Sequence, residues 1–398
     1  MDRSSDFTVN REVRKEARHF WVTHLRRMRF VVKEDVLFHP SEVTIKASIS
    51  INLRCTYMKT KSIGICLSLL LLYGFVVSSV AAQNTTAVKA VPYTQEEVRY
   101  KNGNVSLAGT LFVPGTRAPH PAIVFHHGAY EDTRAVWRFY ADHFAQRGIA
   151  CLIYDNRGSG DSTGYPRASF EDLADDAVAG VQLLKNRQDI NPRQIGLFAG
   201  SQGGWISPLA ASRSKDVAFI MLIAGPGVSV ARNVLYESET KLRSGGFTEE
   251  EIKTALAAKQ SIEHVASTQS WAKAEPLYQA AQNEKWFPMI GIPQKNSWFR
   301  WWWTLVGNYD PAPVWEKITI PVLNVEGELD KNVPAEESLA RMDQSLKRAG
   351  NKDCTFKIFP KADHSIRLAS QSGTPLFFAP GFLDFITDWL LKRVSVPT

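Results

Sequence analysis

Ser201 stands where few serines stand. The run Ile195-Gly196-Leu197-Phe198-Ala199-Gly200-Ser201-Gln202-Gly203-Gly204-Trp205 carries an apolar strand into a serine flanked by very small residues, and a helical pattern follows. A serine on so tight a strand-to-helix turn takes a strained backbone conformation and projects its hydroxyl. The glycines are needed because no side chain fits where the two backbones converge. The helix N-terminus then sets the Gln202 amide where an oxyanion would develop during acyl transfer. A serine hydroxyl alone is a poor nucleophile; it needs a base to take its proton and a third group to orient that base.

Two other clusters invite different chemistry. His126 and His127 are adjacent imidazoles, but neighbouring side chains on a strand point to opposite faces, and no carboxylate or cysteine is spaced to complete a metal site. Asp155-Asn156-Arg157-Gly158-Ser159-Gly160-Asp161-Ser162 is rich enough in glycine to cradle a phosphate, yet the Lys-Ser/Thr pair of a phosphate-binding loop does not follow. It reads as a structural loop stitched by Arg157 and Asp161. Neither a metal nor an organic cofactor is expected.

The elements that must position these residues read as alternating strands and helices. Glu97–Lys101 and Val105–Val113 form a hairpin around the turn signal Asn102-Gly103. Short apolar runs follow at Ala122–His126, Ile149–Tyr154, Gln194–Ala199 and Val217–Ala224, then at Ile320–Val325 and Thr355–Phe359. Helices are expected at Arg134–Arg147, Phe170–Arg187, Gly203–Ser212, Ala335–Ala349 and Phe382–Lys392. Fully apolar strands alternating with helices imply a mostly parallel sheet covered on both faces. Residues 228–313 break the rhythm with helical segments, one opened by the capping box Thr248-Glu249-Glu250-Glu251. Seven of the chain's 11 tryptophans lie between residues 268 and 316. This stretch reads as a helical cap inserted between two strands. Its aromatics are expected to pack cap against body and to roof an apolar acyl or alcohol pocket.

The Ser201 turn resembles the nucleophile elbow of α/β-hydrolases, G-x-S-x-G, with Ala199 in place of the first glycine. The resemblance implies an eight-stranded, mostly parallel sheet and the chain order Ser, acid, His, with acid and His just after late strands. Of nine histidines only His264, in the cap, and His364 follow Ser201, and His364 comes directly after the last strand. Asp330 sits in Gly327-Glu328-Leu329-Asp330-Lys331-Asn332-Val333-Pro334, the G-x-x-D-x-x-V-P form that such proteins show around their acid; Glu326 and Glu328 are its rivals. Asp363, beside the histidine, reads as a loop-capping residue. In the family, the residue after H-G at Phe125-His126-His127-Gly128-Ala129 gives the second oxyanion amide, here Ala129 beside Gln202. The 155–162 loop matches the family pattern D-x-R-G-x-G-x-S. These landmarks span residues 97–392 and are most similar to exported bacterial esterases related to the serine aminopeptidase-like group.

The chain has 398 residues and a formal charge of +7, and the location of that charge matters. Residues 1–57 carry 11 Lys and Arg against 7 Asp and Glu, residues 58–82 add two lysines, and the remainder is close to neutral. The body therefore has no nucleic-acid signature. Met58 opens a second N-terminus: Lys59 and Lys61, an apolar run Ile63–Val77, and Val80-Ala81-Ala82 as a cleavage site, the layout of a signal peptide. The expectation is translation from Met58, with residues 1–57 not native to the protein, 58–82 removed on export, and residues 83–398 forming a periplasmic or secreted hydrolase without stable membrane insertion. Cys151 and Cys354, the two cysteines of the body, are expected as isolated buried thiols.

The function expected is a serine hydrolase cleaving small-molecule carboxylic esters through an acyl-enzyme. The same triad cleaves amides, so a peptidase or aminopeptidase is the first alternative, and it would need an acidic anchor for the substrate ammonium. A binding protein on the same fold is the second; such proteins usually lack a triad member. A dehalogenase would want a carboxylate at position 201. Oligomeric state is not legible.

Overall fold

The computed structural model describes residues 32–39, 42–49, 90–126, 133–166, 168–292, 298–368 and 377–397, the stretches 32–49 and 298–301 by backbone alone. Two units divide the chain, Met1–Ala87 and Val88–Thr398. In the first, strands β1 (Val32–His39) and β2 (Glu42–Ile49) pair antiparallel, His39 opposite Glu42. Residues 58–82, expected from the sequence to be a signal peptide, lie outside the described residues.

The second unit is built on eight strands: β3 (Tyr93–Asn102), β4 (Val105–Pro114), β5 (His120–His126), β6 (Ala150–Tyr154), β7 (Ile190–Gly200), β8 (Ile220–Ile223), β9 (Val322–Gly327) and β10 (Cys354–Phe359). Their order across the sheet is β10-β9-β8-β7-β5-β6-β4-β3. The β3–β4 hairpin and the β4–β6 pair are antiparallel, and all other neighbours are parallel. Gly103 turns the hairpin at φ +55°, a left-handed conformation that glycine takes without strain. The sheet meets the expectation in strand number, sense and order along the chain.

Both sheet faces are buried, which the apolar runs required. Along β5, Ala122 and Val124 enter one core while Ile123 and Phe125 enter the other. Helices α2 (Phe170–Lys185), α3 (Gly203–Arg213) and α9 (Ala335–Arg348) cover the first face; α1 (Arg138–Ala145) and α10 (Phe382–Leu391) cover the second. Helix α2 begins with a reciprocal cap, Ser169 Oγ accepting from the Asp172 N–H and Asp172 accepting from the Ser169 N–H. The expected helix at Arg134 starts as a 3-10 turn, Arg134–Trp137, before α1.

The cap comprises α4 (Val230–Ser244), α5 (Glu249–Thr268), α6 (Trp271–Ala281), α7 (Trp298–Val306) and α8 (Ala312–Trp315). The capping box expected at Thr248 is present, with the Thr248 N–H donating to Glu251 Oε2 at 2.8 Å. Phe170, at the head of α2, joins cap to body: it stacks on Trp205 and meets Trp302 and Tyr309 edge-on. Burying a ring of this size contributes about 1.5–3 kcal/mol. Cys151 is a buried free thiol, but Cys354 is only half-buried, because β10 is the sheet's edge strand.

Candidate active site

Ser201 directly follows β7 with φ +51°, the left-handed strain expected of its turn. Its N–H donates to the Ile223 carbonyl of the neighbouring strand at 2.9 Å, which fixes the turn to the sheet. A Cβ at Gly203 would stand 2.3 Å from the Ala199 Cβ, and one at Gly204 would stand 2.6 Å from the Pro226 nitrogen. The departure at Ala199 is therefore tolerated because Gly203 leaves it room. Gln202, buried, occupies the N-cap position of α3. Ala129 and His127 lie outside the described residues, so the second expected amide donor is not placed. His126 points inward, its Nε2 2.7 Å from Ser207 Oγ, in a packing role.

His364 follows β10, and its Nδ1 lies 2.7 Å from Asp330 Oδ2. The other Asp330 oxygen accepts from the N–H groups of Asn332 at 2.7 Å and Val333 at 3.0 Å. Such bonds hold a carboxylate in one orientation. The histidine loop is built by its neighbours: Asp363 Oδ1 accepts from the Ser365 and Arg367 N–H groups, as the loop-capping reading anticipated. Gly327 permits the close approach, since a Cβ there would lie 2.2 Å from the Asp363 carbonyl oxygen.

The two rival carboxylates have other partners. Glu328 accepts from the N–H of Lys361, a residue held at φ +58°. Glu326 is wholly buried; its Oε1 accepts from Asn324 Nδ2, and Oε2 has no partner among the described residues. Burial first, then the charge of Asp330, pushes the Glu326 carboxyl well above the usual range against the pull of Asn324. Asn324 also exchanges hydrogen bonds with both backbone groups of Gly225, tying β9 to the loop behind Ser201.

The 155–162 loop is stitched, with Asp155 as a hub that the sequence did not single out. Asp155 accepts from the N–H groups of Arg134 and Asp161, and Arg157 grips both oxygens of Asp176. Gly160 leaves room for the hub, since a Cβ would meet Asp155 Oδ2 at 2.4 Å.

Ser201 and His364 border one cavity of about 320 Å³ beneath the cap. Trp205, Ile290 and Trp302 supply apolar wall, but Asn233, Glu237, Lys241 and Lys259 also line it. The roof is thus more polar than the apolar pocket expected. Trp303 takes no part in the lining; its Nε1 donates to the Glu263 carbonyl within the cap. The polar residues escaped sequence reading except for one legible signal. On α5 the buried positions Ile252, Ala255, Lys259, Ile262 and Ala266 form one helical stripe, and a lysine interrupts it.

A mostly parallel sheet, a strained serine at the end of a central strand, and a His–Asp pair on later loops define an α/β hydrolase. Residues 117–369, more than half of the chain, match the family described as serine aminopeptidase, S33. The chain belongs to that family. It is 29% identical over 133 residues to the quorum-quenching protein AidA of Acinetobacter baumannii, a match covering 33% of this chain and 44% of AidA, less than half that protein's length. Over 300 residues it is 21% identical to the esterase EstD of Thermotoga maritima, covering 72% of this chain and 66% of EstD. Among solved structures, the α/β hydrolase GrgF of Penicillium sp. sh18 aligns with a TM-score of 0.49 at 21% identity, over 75% of this chain and 99% of GrgF.

Proposed function

We propose that the protein is a serine hydrolase of carboxylic esters, acting through an acyl-enzyme on Ser201. The observation that carries this reading is the 2.7 Å contact of His364 Nδ1 with Asp330, on the wall of the cavity that Ser201 also borders. Held by Nδ1–H to the carboxylate, the imidazole keeps Nε2 free to take the Ser201 proton as the hydroxyl attacks the ester carbonyl. The amides of Gln202 and Ala129 receive the oxyanion, each worth about 3–4 kcal/mol of barrier. His364 then protonates the leaving alcohol and deprotonates the water that releases the acid. The esterase EstD among its relatives supports ester as the substrate.

The family description keeps aminopeptidase as a second reading. Among the described residues Glu237 is the acidic side chain of the cavity wall, but it is engaged by Lys241, and Lys259 stands on the same wall. That charge balance does not favour a substrate ammonium. We further propose export by the Met58–Ala82 segment, giving a periplasmic or secreted protein.

One experiment addresses both. Protein from its native host is treated with a fluorophosphonate, and the intact mass of the adduct is measured. The expected mass is one adduct on a chain beginning near Gln83, lost in Ser201→Ala together with p-nitrophenyl butyrate hydrolysis. An unlabelled Ser201 overturns the hydrolase reading, turnover only of amino-acid p-nitroanilides overturns the ester, and a mature chain retaining Arg11 overturns export as described.

A further inference from the structure

Lysine is among the residues least often fully buried, yet Lys259 has none of its surface exposed. Its ammonium donates to Glu263 one helical turn on and to the Ile290 carbonyl at 2.7 Å. An ammonium has three donors. These two bonds are the partners of Lys259 among the described residues, and the side chain borders the cavity that holds Ser201 and His364. Stability does not explain the pair, because apolar residues of similar volume usually serve a helix core as well or better.

A second group on the same wall is left in the same condition. Asn233, on α4, donates through Nδ2 to the Asn332 carbonyl at 3.1 Å, and this bond fixes which way its amide faces. Asn233 Oδ1 is buried and has no partner among the described residues. Leaving a buried acceptor unpaired costs about 1–3 kcal/mol. The cap thus brings a lysine with one donor unspent and an asparagine with one acceptor unspent to the wall of a single cavity, and two other charges of that wall, Glu237 and Lys241, neutralise each other. A plain alkyl chain satisfies neither group. Both lysines of the wall already have a carboxylate, Lys241 with Glu237 and Lys259 with Glu263, so a substrate cation or carboxylate would add an unbalanced charge. A hydroxyl both accepts and donates, and it is neutral.

Resting on the esterase reading, we infer that this cavity selects esters bearing a free hydroxyl on the part seated under the cap, recognised by Lys259 and Asn233. Sites built around buried polar groups reject analogues that leave those groups unpaired. Ethyl esters of straight-chain acids of four to eight carbons, with and without a terminal hydroxyl, form one test series. Butyrate esters of alcohols and of the matching diols form the other, and hydrolysis is followed by acid release. In at least one series the wild-type protein is expected to prefer the hydroxyl-bearing member by about tenfold or more in kcat/KM. That ratio should fall toward one in Lys259→Met/Glu263→Gln, which removes the ammonium without stranding a carboxylate. It should also fall in Asn233→Ala, which probes the acceptor alone. Circular dichroism and fluorophosphonate labelling verify that each variant is folded. Equal wild-type rates within every pair overturn the inference, as does a preference that survives in both variants. Wild-type protein that hydrolyses none of these esters overturns the esterase reading instead.

Discussion

Three carboxylates crowd the end of β9, and their surroundings give them different work. Asp330 meets His364 with one oxygen and two backbone N–H groups with the other. Glu328, two residues earlier, secures the strained Lys361 turn from the exposed side. Asp330→Asn is expected to lower kcat for ester hydrolysis by about 10³–10⁴-fold, because an amide holds the wrong imidazole tautomer. Glu328→Gln should leave kcat within a few-fold and cost about 0.5–1.5 kcal/mol in urea unfolding, the worth of one hydrogen bond. A large kcat loss in Glu328→Gln with Asp330→Asn near wild type would reverse the roles. In the sequence these residues lie within five positions, all acidic, and only resemblance ranks them. Hydrogen-bond geometry separates them, and that depends on the β10 loop arriving from 34 residues away.

At the scale of elements, the sharpest constraint is the crossing of β7 and α3. Ala199 and Gly203 share one space: a Cβ at 203 would lie 2.3 Å from the Ala199 Cβ and 3.4 Å from the His126 ring. Gly203→Ala is therefore expected to destabilise by about 1–3 kcal/mol, the usual cost of overpacking. The same substitution made with Ala199→Gly should cost measurably less, a coupling that a double-mutant cycle in urea unfolding reads directly. Additive effects would show that the contact does not set the turn. The tightness was legible in the sequence as a row of small residues; which pair collides was not. Strands and helices were legible for a similar reason, since each is a local pattern. Their edges were less so. Strand β7 begins at Ile190 rather than Gln194, because Ile190 pairs with His120 across a register shift before the regular ladder resumes. Asn191-Pro192-Arg193 reads locally as a turn, and the shift absorbs it. The cap was legible as helices, but not its polar wall, which exists only once α4 and α5 face the body.

The whole molecule carries a titration that no single element reveals. Glu326 belongs to a buried strand, feels the charge of Asp330, and has one oxygen without a partner among the described residues. Burial and the neighbouring charge both oppose its ionisation, so the native state keeps the proton to a higher pH than the unfolded chain, where the group titrates near its ordinary value of about 4.3. Between those two pKa values the native state binds more protons than the unfolded one, and stability falls as pH rises. Below the unfolded value the effect vanishes. Glutamine at 326 can still accept from Asn324 and cannot ionise, so Glu326→Gln should lack this slope. The variant's unfolding free energy relative to wild type is expected to be flat below pH 4. Above that it should climb, at no more than about 1.4 kcal/mol per pH unit, the limit for one proton. Any fixed cost of the new amide shifts the whole curve without changing its slope. Urea titrations from pH 3.5 to 8 on both proteins give the difference directly, with titrations common to the two cancelling. A difference that is level across that range would mean Glu326 ionises in the native state as readily as in the unfolded chain. A second buried negative charge would then stand beside Asp330, and the carboxylate that orients His364 would be working against a like charge instead of a neutral neighbour.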